Sequence, residues 1–349
     1  MLKKNKNSNN KKRLNNKREK PVCLLIGNGF NRINNPDFPS WDNLILNLFD
    51  KYELNKNDYD IKTTSYPLKF EYIVNVINEE RNSWHEHTYK ECKEKIIEDL
   101  DKSITDKKNL DKEIIEGLRD CKPDYIITTN YDTLLEKAFA YRSSYKYGSR
   151  LDKTHANDKK LNNRERGREV YLNKTARFSK RNVIFYHMHG INVDIKSICL
   201  GYEHYMRIIK KLRDVIVKNE RDPEILNLLK TGEHKNMSNY FCTRFFDSDI
   251  HIIGLGLEEQ EIDIWWLLCY RAYLYFSNIN NARNLIKNKI IYHDVHVTKS
   301  TNEGYSFEDD YQKQKEMLFK YLYVEYDAIN IENVNQYKDK YVEILKGIK

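Results

Sequence analysis

No apolar run in the 349 residues approaches the ~20 that a membrane-crossing helix needs. The first residues are polar and basic and lack the apolar segment of a secretory signal. A soluble, cytoplasmic chain with no membrane partner is therefore expected. The six cysteines, Cys23, Cys92, Cys121, Cys199, Cys242 and Cys269, include no C-x-x-C pair. Several lie in apolar runs, which suits buried thiols in a reducing compartment. There is no internal repeat, and no low-complexity tract beyond the N-terminal tail. The bulk of the chain also lacks net charge. Residues 1–20 hold nine Lys/Arg and one acid, Glu19, out of 60 basic and 52 acidic residues in all, so 51 of each remain and the +8 surplus sits in the tail. Residues 1–20, which lack aromatics, read as a disordered basic tail. Any contact with nucleic acid is expected to be indirect or through that tail, where a basic segment can meet phosphate or an acidic partner.

What is present is a recurring layout. Val22-Cys23-Leu24-Leu25-Ile26 runs into Gly27-Asn28-Gly29-Phe30-Asn31, and Tyr125-Ile126-Ile127-Thr128-Thr129 into Asn130-Tyr131-Asp132. Val183-Ile184-Phe185-Tyr186-His187-Met188 runs into His189-Gly190, and His251-Ile252-Ile253 into Gly254-Leu255-Gly256-Leu257. Each reads as a buried parallel strand that ends in a site-forming loop. Trp41, Leu44, Ile45, Leu48 and Phe49 fall at helical spacing behind Ser40, a candidate N-cap. Helices are expected over Leu68 to Glu80, Trp84 to Leu100, Leu110 to Cys121 and within 203–246. Strands are expected over Asp249 to Leu255, Lys289 to His293 and Tyr321 to Asp327, with a last helix from Val334 to Ile348. Residues 142–181, basic and without periodicity, read as a loop or lid. The fold class is α/β: a Rossmann-like, doubly wound parallel sheet of about six strands across 21–349, with helical insertions at about 42–121 and 203–246. The insertions are expected to form a smaller helical lobe that closes over a ligand.

Ligands of such sheets lie at the carboxyl ends of the strands, which gathers the four turns into one candidate site. Gly27 and Gly29 remove side chains where the protein backbone must approach a pyrophosphate, or simply make a tight strand-to-helix turn. Asn130 can orient a water through its amide, or cap a turn. Asp132 can accept from a ribose hydroxyl, or cap the helix that starts near Thr133. His187 and His189 share a strand face by period two, with His189 at the rim and suited to act as a base. His187, one pleat deeper, reads as structural. Of Trp265 and Trp266, at least one is expected in the core.

The order of these segments resembles the sirtuin-like (silent information regulator type) family, in particular its prokaryotic NAD-hydrolysing, anti-phage branch. The similarity rests on Gly27-Asn28-Gly29-Phe30-Asn31, Thr128-Thr129-Asn130-Tyr131-Asp132, His189-Gly190 and Gly254-Leu255-Gly256. Pro39-Ser40-Trp41 with Leu44, and Glu261-Ile262-Asp263-Ile264, add to it. The resemblance implies NAD+ as substrate, Asn130 and His189 as catalytic residues, and contacts to the dinucleotide from Gly27, Asn28, Gly29, Phe30, Asn31, Thr129, Asp132, Gly254 and Gly256. It implies an NAD+ glycohydrolase that depletes NAD+ during phage infection. Sirtuin deacetylases hold zinc between two C-x-x-C pairs; the matching interval here contains only Cys199 and Cys242, so no zinc is expected. Control is expected through a homo-oligomer or a separate activating partner, such as a translocase-type ATPase or an Argonaute-like protein. The alternatives are an NAD-dependent deacylase or ADP-ribosyltransferase, and a non-catalytic subunit that senses NAD or ADP-ribose.

Overall fold

The four apolar runs pair as neighbours in one sheet. The computed structural model describes residues 19–33, 35, 38–54, 65–81, 85–105, 110–139, 175–178, 183–232, 240–297 and 307–348. Its strands are β1 (Val22–Ile26), β2 (Tyr125–Thr128), β3 (Thr175–Phe178), β4 (Val183–His187), β5 (Asp249–Ile253), β6 (Ile290–Val297) and β7 (Glu325–Ile331). Their order is β3-β4-β2-β1-β5-β6-β7. The six strands from β4 to β7 are parallel, and β3 adds an antiparallel edge to β4. Leu24 stands opposite Ile126 on one side and His251 on the other. All five residues of β1 are buried, as a central strand covered on both faces requires.

Helices cover both faces. One layer holds α1 (Gly29–Arg32), α2 (Trp41–Lys51), α3 (Tyr66–Arg81), α4 (His85–Thr105), α5 (Lys112–Asp120) and α6 (Leu134–Phe139). The other holds α7 (Tyr202–Ile216), α8 (Glu224–Thr231), α9 (Arg244–Asp247), α10 (Ile262–Ser277), α11 (Ala282–Leu285) and α12 (Phe307–Tyr321). The last helix, α13 (Tyr337–Gly347), returns to the first layer. The pleat of β1 divides its side chains between the two: Val22, Leu24 and Ile26 enter the first core, Cys23 and Leu25 the second. The chain goes from β1 to β2 and β4 on one side, then returns to β5, β6 and β7 on the other. The crevice between the ends of β1 and β5 is thus the topological switch point of a Rossmann-like fold.

Several sequence expectations meet a different outcome. The insertion helices do not form a core of their own: Leu44, Phe49, Phe70 and Ile96 share a cluster with Leu24 and Ile126, because the sheet is the apolar surface available to cover them. Strand β7 starts at Glu325 rather than Tyr321, because α12 runs through Tyr321 and Tyr323, at φ 56°, reverses the chain. Strand β3 falls inside the expected 142–181 loop; the rest of that loop lies outside the described residues, as does the tail except Glu19 and Lys20. Ser40 does cap α2, accepting from the Asn43 N–H at 3.2 Å. No described helix is long and apolar enough to cross a membrane.

Candidate functional site

The glycine turns after β1 and β5 pack on each other at the switch point. The Gly27 N–H donates to the Ile253 carbonyl at 3.1 Å, and the Gly29 N–H to the Gly254 carbonyl at 2.9 Å. A Cβ on Gly27 would lie 2.6 Å from the Gly254 oxygen, and one on Gly29 2.8 Å from it. These glycines are needed first for the contact between the two loops. Gly254, at φ 64°, also needs the left-handed region. Gly256 is different, since a Cβ there would meet only the Glu258 side chain, at 3.4 Å. The helix after the first turn, α1, is just four residues long, and the Asn28 side chain donates to the Pro39 carbonyl at 3.0 Å.

Strand β4 ends at His187, and Met188 and His189 form a turn. The period of two therefore stops before His189, and the two imidazoles meet opposite helical layers rather than sharing a face. His187 Nδ1 lies 2.9 Å from the Asn130 carbonyl and Nε2 2.5 Å from Glu136 Oε1 of α6. His189 Nε2 lies 3.0 Å from Asp263 Oδ2, in the first turn of α10. Both histidines and both carboxylates are buried. Burial alone would lower each histidine's pKa; the carboxylate beside it outweighs burial, and both are raised. With Nε2–H donating to Asp263, neutral His189 carries its lone pair on Nδ1, which has no partner among the described residues. Gly190, at φ 99°, makes the His-Gly turn possible, because a Cβ there would collide with the Ser197 carbonyl.

The Thr128-Thr129-Asn130-Tyr131-Asp132 turn is tied to β1. The Thr128 hydroxyl donates to the Ile26 carbonyl at 2.9 Å and accepts from the Asn130 N–H at 3.0 Å. The Asn130 side chain is buried and donates through Nδ2 to the Gly27 carbonyl at 3.3 Å; its Oδ1 is buried without a partner among the described residues. Asp132 does two things. One oxygen accepts from the Leu134 N–H at 2.8 Å, at the start of α6; the other accepts from Asn31 Nδ2 at 2.6 Å. Burial raises the Asp132 pKa. Asn31 Oδ1 is also buried without a partner among the described residues. Phe30 is buried in the first core.

A cavity of about 170 Å³ opens where these turns meet. Asn28, Gly29, Thr129, His189, Gly254 and Gly256 line it; Gly27, Phe30, Asn31, Asn130 and Asp132 are not among its lining residues. Trp41 of α2, Tyr66 of α3 and Tyr205 of α7 supply aromatic walls. Tyr205 meets the His189 ring edge-on at 5.4 Å. Three charged lining residues were given no site role from the sequence: Arg32, Glu258 and Glu261. Asp263 was equally missed as a partner of His189. Their signal was the Glu261-Ile262-Asp263 segment at the head of an apolar helix, which shows its purpose only once β5 is set beside β1. Burial pushes the Glu261 pKa up to about 7. A larger groove of about 910 Å³ shares Tyr66, Glu258 and Gln260 with the cavity and passes Trp265 and Trp266. Trp265 donates to the Glu258 carbonyl at 2.9 Å, and Trp266 stacks on Tyr270. Among the described residues, no group of three or more His, Cys, Asp or Glu side chains is placed to hold a metal ion. Cys199 lines the cavity, while Cys242 lies in the second core.

No curated protein matches the chain. A family model described as SIR2-like domain matches residues 124–277, the stretch from the start of β2 to the end of α10. It encloses Asn130, His189, Gly254 and Asp263; the Gly27 turn lies outside it and joins the site through the loop contact above. Over this stretch, a little under half of its length, the chain is similar to a SIR2-like domain, the domain of an NAD-related enzyme family.

Proposed function

We propose that the chain hydrolyses NAD+ at the nicotinamide–ribose bond, giving nicotinamide and ADP-ribose. The observation that supports this best is the His189–Asp263 pair, set across one cavity from the two glycine turns at the switch point. A dinucleotide lies in that crevice in folds of this class. Two buried carboxamide oxygens, on Asn130 and Asn31, have no partner among the described residues and suit a hydroxyl or water donor. The cavity has room for one small ring, since a protein cavity of about 150 Å³ takes benzene. It suits nicotinamide, and the adjoining groove suits the rest of the molecule. Among the described lining residues Arg32 is the one Lys or Arg, and it suits the pyrophosphate.

Nicotinamide leaves as a neutral molecule, so positive charge builds on the ribose as the bond breaks. Catalysis consists of fixing the ribose, stabilising that charge and admitting one water. His189 is the base, through Nδ1, toward a ribose hydroxyl or the water; Asp263 orients the ring and increases its affinity for the proton. Asn130 positions the ribose or water through its amide. Asp132 acts through Asn31 and the start of α6. The cellular role that fits such an activity is NAD+ depletion in an infected prokaryotic cell, held in check by an oligomer or a separate partner. Incubating the purified chain with NAD+ and following nicotinamide tests the reading: Asn130→Ala and His189→Ala should each abolish release while the fold persists. Release unaffected by either change would refute it.

A further inference from the structure

We infer that Glu261 is a further catalytic residue of this cavity: its carboxylate takes the proton of the water that attacks the ribose, while His189 engages a ribose hydroxyl. The inference rests on the hydrolysis reading above. Glu261 stands at the N-cap position of α10, yet its side chain makes no capping bond to the helix. Its Oε2 instead accepts from the Glu258 N–H at 2.6 Å, and Glu261 lines the cavity that His189 also lines. The second oxygen has no partner among the described residues. A carboxylate that merely closed the helix would turn toward the helix N–H groups. One that merely solvated a loop would not line a cavity beside a base.

The surroundings suit a proton acceptor. His189 comes from the turn after β4, Tyr205 from α7 and Tyr66 from α3, while Tyr292 reaches over from β6. Glu258 and Asp263 flank Glu261 in its own segment, and Arg32 lines the same cavity. Burial moves the Glu261 pKa up to about 7, with His189 the main opposing influence, so both protonation states are populated at neutral pH. In the step, the C1′–N bond breaks and its electron pair passes to the nicotinamide nitrogen, cancelling the ring's positive charge. The water oxygen bonds to C1′, one of its protons goes to Glu261, and that proton later leaves to solvent. NAD+ and water become nicotinamide, ADP-ribose and a proton.

The test uses the full chain and its Glu261→Gln and Glu261→Asp variants, with thermal melts to check folding. NAD+ binding is measured by calorimetry and nicotinamide release from about pH 5.5 to 9. Glu261→Gln should bind NAD+ within about 3-fold of wild type, lose ~100-fold or more in kcat, and lack the rising limb near neutral pH in what remains. Glu261→Asp, which keeps the carboxylate, should recover part of kcat and the limb. If Glu261→Gln keeps kcat and the limb, the role is wrong while hydrolysis stands. If it loses binding as much as rate, Glu261 holds substrate and is not the acceptor. A wild type that binds NAD+ and releases no nicotinamide overturns the hydrolysis reading, and this role with it.

Discussion

His189 and His187 sit two residues apart and answer to different carboxylates. That difference makes each testable alone. His189→Ala should lower kcat by ~10²–10⁴, the range for loss of a general base. His187→Ala should act mainly on stability and on the Asn130 turn that its Nδ1 holds. The reverse pattern would mean that the wrong imidazole has been assigned to the chemistry. Asp263→Asn removes the charge that lifts His189. Burial then prevails, the pKa falls, and the rising limb of the rate that belongs to His189 should move to lower pH, with a lower plateau. An unmoved limb would detach Asp263 from His189. The His187–Glu136 pair has a stability signature. A histidine raised in the folded state contributes fully below its unfolded pKa of about 6.5, and that contribution fades as pH rises through the folded value. Glu136→Gln should therefore cost about 1–3 kcal/mol at pH near 6, with a smaller gap from wild type near pH 9, read from denaturant melts.

Among the elements, the two glycine turns separate packing from substrate contact. Gly27→Ala places a methyl against the Gly254 carbonyl and should destabilise by about 1–3 kcal/mol, the usual cost of overpacking. Gly256→Ala finds ordinary contact distances and should leave the melting midpoint close to wild type. Equal losses would mean that the loops are not packed as described. Strands β1, β2, β4 and β5 were legible in the sequence because strands buried on both faces read as unbroken apolar runs. Strand β3 was not: it pairs on one side only and sits in a polar stretch. Helix α12 was missed because polar residues dominate it, with Phe319 its fully buried anchor. Of the candidate site, the turns that carry Asn130 and His189 could be read from their place after apolar runs. Asp263 and Glu261 could not, because their purpose depends on contacts to His189 across more than seventy residues of chain, which the sheet order creates. The period-two inference for His189 failed for a local reason, the turn that begins at Met188.

For the whole molecule, charge and metal give two expectations. Removing residues 1–20 takes away the +8 surplus and should leave NAD+ hydrolysis near wild type, while weakening any salt-sensitive contact with nucleic acid. Loss of catalysis with unchanged assembly would place the tail in the active site. Chelators should leave both the melting midpoint and the activity unchanged; stoichiometric zinc lost together with the fold would contradict this. The central claim is that the cavity at the β1–β5 switch point breaks the nicotinamide–ribose bond with water as acceptor. The most direct measurement is nicotinamide and ADP-ribose released from NAD+ by the purified full chain, with and without an acetylated peptide. The account predicts both products in equal amounts, independent of the peptide and lost in His189→Ala. Release that requires the peptide, or none from a chain that binds NAD+, would contradict it.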